Sequence, residues 1–207
     1  MLVYFMQFMK KVLAILSLGF LLTFLQDTTA MKKDDPPGFS CSQGWKITGY
    51  FTPIETDYAS KETVEVDIKD VGKLSFDSEF VKVVFDEEKG FGEGWGKTRF
   101  GWYLGNYNGA WHKSADPLDS NNAALRPNSI AVDNALIPFG SSVRMPGLPG
   151  ANGSRLFIAN DVGATVHGRH IDIYTGEGRE AEREMYRVTF EDDDNLQRVC
   201  FQLPKEK

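Results

Sequence analysis

The sequence predicts a mainly β protein that closes into a small barrel, and three observations carry that expectation. Short runs in which apolar and polar residues alternate recur from Trp45 to Leu203, the pattern of strands with one buried face. Gly, Pro, Asn and Asp separate these runs at short intervals, as turns between strands require. One stretch alone, Glu177 to Tyr186, reads as a convincing helix, and no internal repeat points to a solenoid or propeller. Many short strands with one helix fit a closed barrel, which leaves no sheet edge exposed.

Residues 31–44, charged and Pro-rich at their start, read as a flexible lead-in, with structure expected from Trp45. Trp45 to Thr52 alternates and is rich in β-branched and aromatic residues, a strand that Pro53 ends. Thr48, Tyr50 and Thr52 then share one face. Thr63 to Ile68 alternates strictly and Phe80 to Phe85 nearly so, which predicts a pair of short strands before the solvated Asp86, Glu87 and Glu88. The Gly- and aromatic-rich run from Gly90 to Gly109 reads as an irregular loop that packs its rings, or alternatively as a groove lined for sugar. Its Gly96-Lys97-Thr98 lacks the preceding glycine of a phosphate-binding loop, since position 91 is Phe91. Residues 112–128 continue as a turn-rich connection.

Ser129 to Val132 reads as a strand ending at Asp133, and Pro138 imposes an extended backbone on Ile137. Ser142 to Met145 and Leu156 to Asn160 read as further strands. Asp161 to Gly168 turns into the strand His170 to Tyr174, on which Ile171 and Ile173 share one face and His170, Asp172 and Tyr174 the other. In the helix that follows, Glu177 and Glu180 sit near the positive end. Val188 to Phe190 and Val199 to Leu203 close the chain as strands.

With 207 residues, 42% hydrophobic and 25% charged, the chain is long enough for one well-buried core, and neither disorder nor a fibre fits. A net charge of −6 argues against a nucleic-acid partner, because phosphate binding draws on clustered Lys and Arg. Residues 1–30 have the pattern of a cleaved export signal: Lys10 and Lys11, an apolar run from Val12 to Leu25, then Thr28-Thr29-Ala30. The alternative is a retained membrane anchor, for which this apolar run is short of the about 20 residues a span needs. No transmembrane anchor is therefore expected after cleavage, and the protein is expected in the periplasm or cell envelope, or secreted. In an oxidising compartment the only two cysteines, Cys41 and Cys200, could pair; as unpaired thiols they would be buried.

Three aspartates, Asp133, Asp161 and Asp172, each lie in a short apolar run bounded by Gly or Pro. The spacing of Asp161 and Asp172 lets two adjacent strands carry both carboxyls into one site. Two neighbouring carboxyls do not both ionise easily, so one can stay protonated near neutral pH and donate to a glycosidic oxygen. Aspartates in loops more commonly accept backbone N–H bonds, and the spacing leaves both readings open.

The series Ala131-Val132-Asp133, Ile137 to Gly140, Asp161-Val162-Gly163, Gly168, Ile171 to Tyr174 and Gly176 to Gly178, then a helix, resembles the 3D (three-aspartate) domain of the membrane-bound lytic transglycosylase A family. Upstream, Gly49 to Pro53 resembles the Gly-Tyr-aromatic-Thr-Pro signature of the same group, and the resemblance covers roughly residues 46–60 and 96–203. It implies a six-stranded double-psi β-barrel over residues 45–203 with one or two short helices and a small β insertion at about 54–95, shorter than the family's second domain. It further implies a monomeric enzyme acting on peptidoglycan glycan strands without metal or organic cofactor. By match to the family motifs, Asp172 is the catalytic aspartate and Asp161 the acidic residue beside it, while Tyr50, Thr52, Asp133 and Gly163 line or support the substrate groove. The rivals are a glycan-binding barrel without turnover, a hydrolase using the same aspartates, and a zinc site drawn from His112, His167, His170 and Asp172.

Overall fold

Six strands close a barrel and five more form a second sheet in the computed structural model, which describes residues 35–190, 192 and 195–204. The expected export signal over residues 1–30 lies outside the described residues. The barrel is built from β1 (Ser40–Thr52), β7 (Ser129–Val132), β8 (Ser142–Arg144), β9 (Phe157–Asp161), β10 (His170–Glu177) and β11 (Gln197–Gln202), in the order β1-β10-β7-β9-β8-β11. Two neighbouring pairs, β1 with β10 and β7 with β9, run parallel, and the other four are antiparallel. The expected mainly β fold with a closed six-stranded barrel is what the chain adopts.

Alternation along the strands divides two environments. Ile47, Ile130, Val132, Val143, Phe157, Ile171, Ile173 and Val199 are buried together in the core, each apolar side chain contributing about 1.5–3 kcal/mol of burial. Thr48, Tyr50, Ala131, His170 and Asp172 lie at the intervening positions, on the other face of the same strands. Helix α2 (Gly178–Val188) lies against β1. A Cβ on Gly49 would stand 2.9 Å from the Met185 Cα and 2.9 Å from the Val188 Cγ2, so the close approach requires glycine there.

The first strand begins at Ser40, inside the lead-in expected to reach residue 44. Pairing explains the early start: Cys41 stands opposite Cys200 on β11, and the two form a disulfide. At the other end, helix α2 runs on to Val188, and Phe190 makes only a single bridge with Ile47 in place of the expected strand over residues 188–190.

The second sheet, ordered β3-β2-β6-β5-β4, holds β2 (Thr63–Ile68), β3 (Gly72–Asp77), β4 (Trp95–Lys97), β5 (Tyr103–Tyr107) and β6 (Ala110–Ser114). It reaches Ser114, well past the boundary near residue 95 expected for the insertion, and takes in most of the Gly-aromatic run. Asn108 and Gly109, at φ 52° and 71°, form the two-residue turn that joins β5 to β6, where a loop was expected. Residues 78–84 form helix α1 (Ser78–Val84) and not the expected strand. The Asp77 carboxylate accepts hydrogen bonds from the backbone N–H of Glu79 and Phe80 (2.9 and 3.1 Å), which starts the helix. Phe80, Val81 and Val84 then fall on one helical face, buried with Val66, Ile68, Phe76 and Leu104, and this packing outweighs the β propensity of a Val-rich segment.

Strand β4 is tied to the barrel where β1 ends: Lys97 N–H donates to the Pro53 carbonyl (2.8 Å). Glu177 at the end of β10 accepts from Lys97 Nζ (3.0 Å) and from the Tyr103 hydroxyl (2.6 Å). These bonds dock the second sheet on the barrel, and Trp95 at the start of β4 lines the groove between them. Among the described residues no helix is long and apolar enough to cross a membrane.

Candidate active site

The parallel pairing of β1 with β10 sets Lys46 opposite His170, Thr48 opposite Asp172 and Tyr50 opposite Tyr174. Because side chains on both strands repeat every second residue, these polar groups form one ladder away from the core. Thr48 Oγ1 donates to Asp172 Oδ1 at 2.7 Å and lies 2.8 Å from His170 Nε2. Farther along, the Thr52 and Tyr174 hydroxyls are 2.9 Å apart, and the Tyr50 and Tyr174 rings meet at 5.3 Å.

Asp161 enters from a strand that is not adjacent to β10, contrary to the reading of two neighbouring strands. Strand β7 lies between them, with Ala131 in register with Asp172 on one side and Asp161 on the other. Two strand spacings set the aspartate backbones roughly 9–10 Å apart. The small Ala131 side chain leaves the space between them clear, and all three residues line one groove of about 570 Å³. Tyr50 spans the gap, its hydroxyl donating to Asp161 Oδ2 at 2.8 Å. Asp161 Oδ1 accepts from the Ser120 hydroxyl (2.7 Å) and the Val162 N–H (2.9 Å), so both of its oxygens are held. On Asp172, Oδ2 takes no hydrogen bond from the described residues and remains for a ligand in the groove.

Burial decides the protonation states. It pushes the half-buried Asp172 up from 3.8 to about 6; the Thr48 bond opposes the shift, the Asp161 charge adds to it, and the Lys46 cation opposes it. Asp161 is also raised by burial, against hydrogen bonds from Ser120 and Tyr50 that favour its carboxylate. Tyr50 is raised well above 10 by burial and by the Asp161 carboxylate it serves, so it stays a donor. The site therefore pairs a carboxyl whose oxygens are both held by donors with a second carboxyl that keeps its proton closer to neutral pH than an ordinary aspartate does, the division of roles that acid–base chemistry on a glycosidic bond uses.

The expected site residues do not all meet. Tyr50, Asp161, Asp172 and Gly163 line the groove. Thr52 does not: it is 1% exposed and serves to orient the Tyr174 hydroxyl. Asp133 also stays out of the groove, its carboxylate accepting from the N–H of Gly168 (2.8 Å) and Ala135 (3.1 Å), bonds that hold it below the usual carboxylate range. Its place is structural, clamping the turn that leads into β10.

Glu93 is the residue that sequence reasoning missed. It lines the groove opposite the aspartates, its Oε2 accepts from the Phe51 N–H at 2.9 Å, and burial pushes it up from 4.5 to about 8. No spacing marked it, because it belongs to a glycine-flanked turn whose position is set only when β4 docks on the barrel. The Gly-aromatic run does supply the far wall, through Phe91 to Trp95 and Asn106 to Asn108. The zinc alternative meets ring nitrogens already in use: His170 lies between Thr48 and the Thr165 carbonyl (3.1 Å), and His167 Nε2 lies 3.0 Å from the Ala164 carbonyl. Among the described residues no group of three His, Cys, Asp or Glu side chains could hold a metal ion.

Residues 128–188, which contain all three aspartates, match the family model of the 3D domain. No curated protein matches the chain in sequence. Among solved structures, the chain is similar to Escherichia coli MltA with bound chitohexaose, at 17% identity over 81% of this chain and 77% of that one, with a TM-score of 0.54. A second structure of E. coli MltA, described as a unique lytic transglycosylase fold, aligns at 17% identity over 82% and 77% with a TM-score of 0.50. MltA from Neisseria gonorrhoeae aligns at 13% identity over 82% and 77% with a TM-score of 0.51. At these identities the likeness establishes a shared fold.

Proposed function

We propose that this chain is a peptidoglycan lytic transglycosylase that cleaves the β-1,4 bond between N-acetylmuramic acid and N-acetylglucosamine and leaves 1,6-anhydromuramyl ends. The observation that carries this reading is Asp172: a carboxyl raised to about 6, with one oxygen held by Thr48 and the other open to a groove of about 570 Å³. Asp172 lies within residues 128–188, which match the 3D-domain model, and the chitohexaose bound by E. coli MltA, which shares the fold, supports a glycan as the occupant of the groove. Delivery by the expected signal would put a monomer in the cell envelope, where such strands are found.

In this reading protonated Asp172 gives its proton to the oxygen joining the two sugars, and the anomeric carbon–oxygen bond breaks. The resulting carboxylate takes the proton of the muramyl 6-hydroxyl, whose oxygen closes on the anomeric carbon. The proton count balances, and no water enters. Asp161 accepts from Tyr50 and Ser120, bonds that favour its carboxylate against burial, and as a carboxylate it favours the positive charge that develops on the sugar ring. A hydrolase would need a second carboxylate free to activate water or attack. Asp161 has both oxygens engaged, which favours the ring-closing route.

The test is digestion of purified glycan strands by the protein and by Asp172→Asn, with mass spectrometry of the products. Anhydromuramyl ends made by the protein and lost in the variant are expected. Reducing ends would replace this reading with a hydrolase, and uncut but bound strands with a glycan-binding barrel.

A further inference from the structure

Beyond the groove, the ladder holds a line of hydrogen bonds whose proton count can be worked out. The Thr165 carbonyl lies 3.1 Å from His170 Nδ1, His170 Nε2 lies 2.8 Å from Thr48 Oγ1, and Thr48 Oγ1 lies 2.7 Å from Asp172 Oδ1. A carbonyl oxygen only accepts, so Nδ1 carries a hydrogen. A threonine hydroxyl has one hydrogen to place between two neighbours. With one proton between His170 Nε2 and Asp172 Oδ1, two arrangements satisfy these three contacts. In one, doubly protonated His170 donates to Thr48, which donates to the Asp172 carboxylate. In the other, protonated Asp172 donates to Thr48, which donates to neutral His170. Both contain the same number of protons. With one proton fewer, one of the two contacts to Thr48 faces lone pair to lone pair; one proton more has its place on Asp172 Oδ2, the oxygen Thr48 does not hold, while doubly protonated His170 still donates to Thr48 and Thr48 to Oδ1.

We infer that His170, acting through Thr48, shares one proton with Asp172 and so sets how far Asp172 is in its acid form. The proton moves from His170 Nε2 to Thr48 Oγ1 as the Thr48 hydroxyl proton moves to Asp172 Oδ1, with no net gain or loss. His170 is 8% exposed and does not line the groove, so it is a positioning residue that acts only through Thr48. Among the described residues, ionisable groups that act on the pair include Lys46 and Tyr50 on β1, Asp161 on β9 and Glu93 from the sheet side. Strand β7 contributes only Ala131. Of these, Lys46 opposes and Asp161 favours a protonated Asp172. That Asp172 gives a proton from Oδ2 to a glycan rests on the transglycosylase reading, and the shared proton at Oδ1 bears on it through the charge of the carboxyl; the sharing itself rests on the hydrogen bonds alone.

The experiment is a pH titration of the full chain carrying 15N-labelled histidine, read at the imidazole nitrogens, with His112 and His167 as internal controls. Asp172→Asn is expected to lower the His170 midpoint by about one pH unit or more, as loss of a coupled carboxylate requires. Thr48→Val is expected to decouple the pair in the same direction, and Thr48→Ser to restore the native midpoint. Amide spectra matching the native protein show that each variant is folded. A His170 midpoint that Asp172→Asn and Thr48→Val both leave in place would overturn the proposal. The same variants assayed on glycan strands separate the two readings. Coupling without cleavage keeps the shared proton and removes the transglycosylase, whereas cleavage without coupling removes the shared proton and keeps the enzyme.

Discussion

The two walls of the groove are built by opposite means. On the barrel side each working side chain is held by a polar partner far away in the sequence: Thr48 and Asp172 are 124 residues apart, Tyr50 and Asp161 111. On the sheet side the wall comes from neighbouring segments, a tight hairpin at Asn108-Gly109 and the turn at Phe91 to Trp95, and it presents rings. Trp95 and Tyr107 meet at 5.8 Å, while Phe91 and Tyr107 stay 46% and 41% exposed. The contrast teaches a division of labour. Fixed protonation states need charges locked by several strands at once, whereas the flat faces that would hold a sugar under the proposed function can come from a local hairpin.

The largest expected effect that tests this division is at Asp172. Asp172→Asn should reduce turnover by about 10³-fold, within the range for loss of a general acid–base, and should also stabilise the fold. Burial raises this carboxyl from 3.8 to about 6, so its contribution to stability is intact below 3.8 and is lost as pH rises through 6. Urea unfolding should therefore find the variant more stable by about 3 kcal/mol at pH 8, with the gain gone near pH 4. A variant that loses both activity and stability at pH 8 would mean that the aspartate holds the barrel together and is not kept strained for chemistry.

Next in size is Tyr50→Phe, which leaves Asp161 without one donor. Loss of a hydrogen bond to a charged group predicts a fall of about 10- to 100-fold in kcat with KM little changed. Smallest are Phe91→Ala and Tyr107→Ala on the sheet wall, where steady-state kinetics should show KM raised about 3- to 10-fold and kcat within about 2-fold. If the ring variants lowered kcat while Tyr50→Phe changed only KM, the assignment of chemistry to the barrel and holding to the sheet would be reversed.

How much of this was legible differs by region for a physical reason. The barrel strands could be read because burial on one face imposes alternation, and alternation already put Thr48 with Tyr50, and His170 with Asp172, on shared faces. The sheet was harder. Phe80 to Phe85 alternates well enough for a strand, yet the Asp77 cap and the buried Phe80, Val81 and Val84 make it a helix, a choice settled by packing. The Asn-Gly pair at 108–109 was a readable hairpin signal that the surrounding glycines obscured. Glu93 carried no signal at all, because its protonation comes from what closes over it.

By itself the sequence determined a mainly β barrel, the 3D-domain motifs and the three aspartates, since strand period and motif spacing are properties of neighbouring residues. The family resemblance already implied unequal parts for these aspartates, and only the tertiary structure supplied the physical cause. It buried Asp172 beside Thr48 with an oxygen free, saturated Asp161 with donors from Tyr50 and Ser120, and set Asp133 to clamp a turn. A carboxyl takes its role from its solvation and its donors, and both are supplied by strands that meet only when the barrel closes.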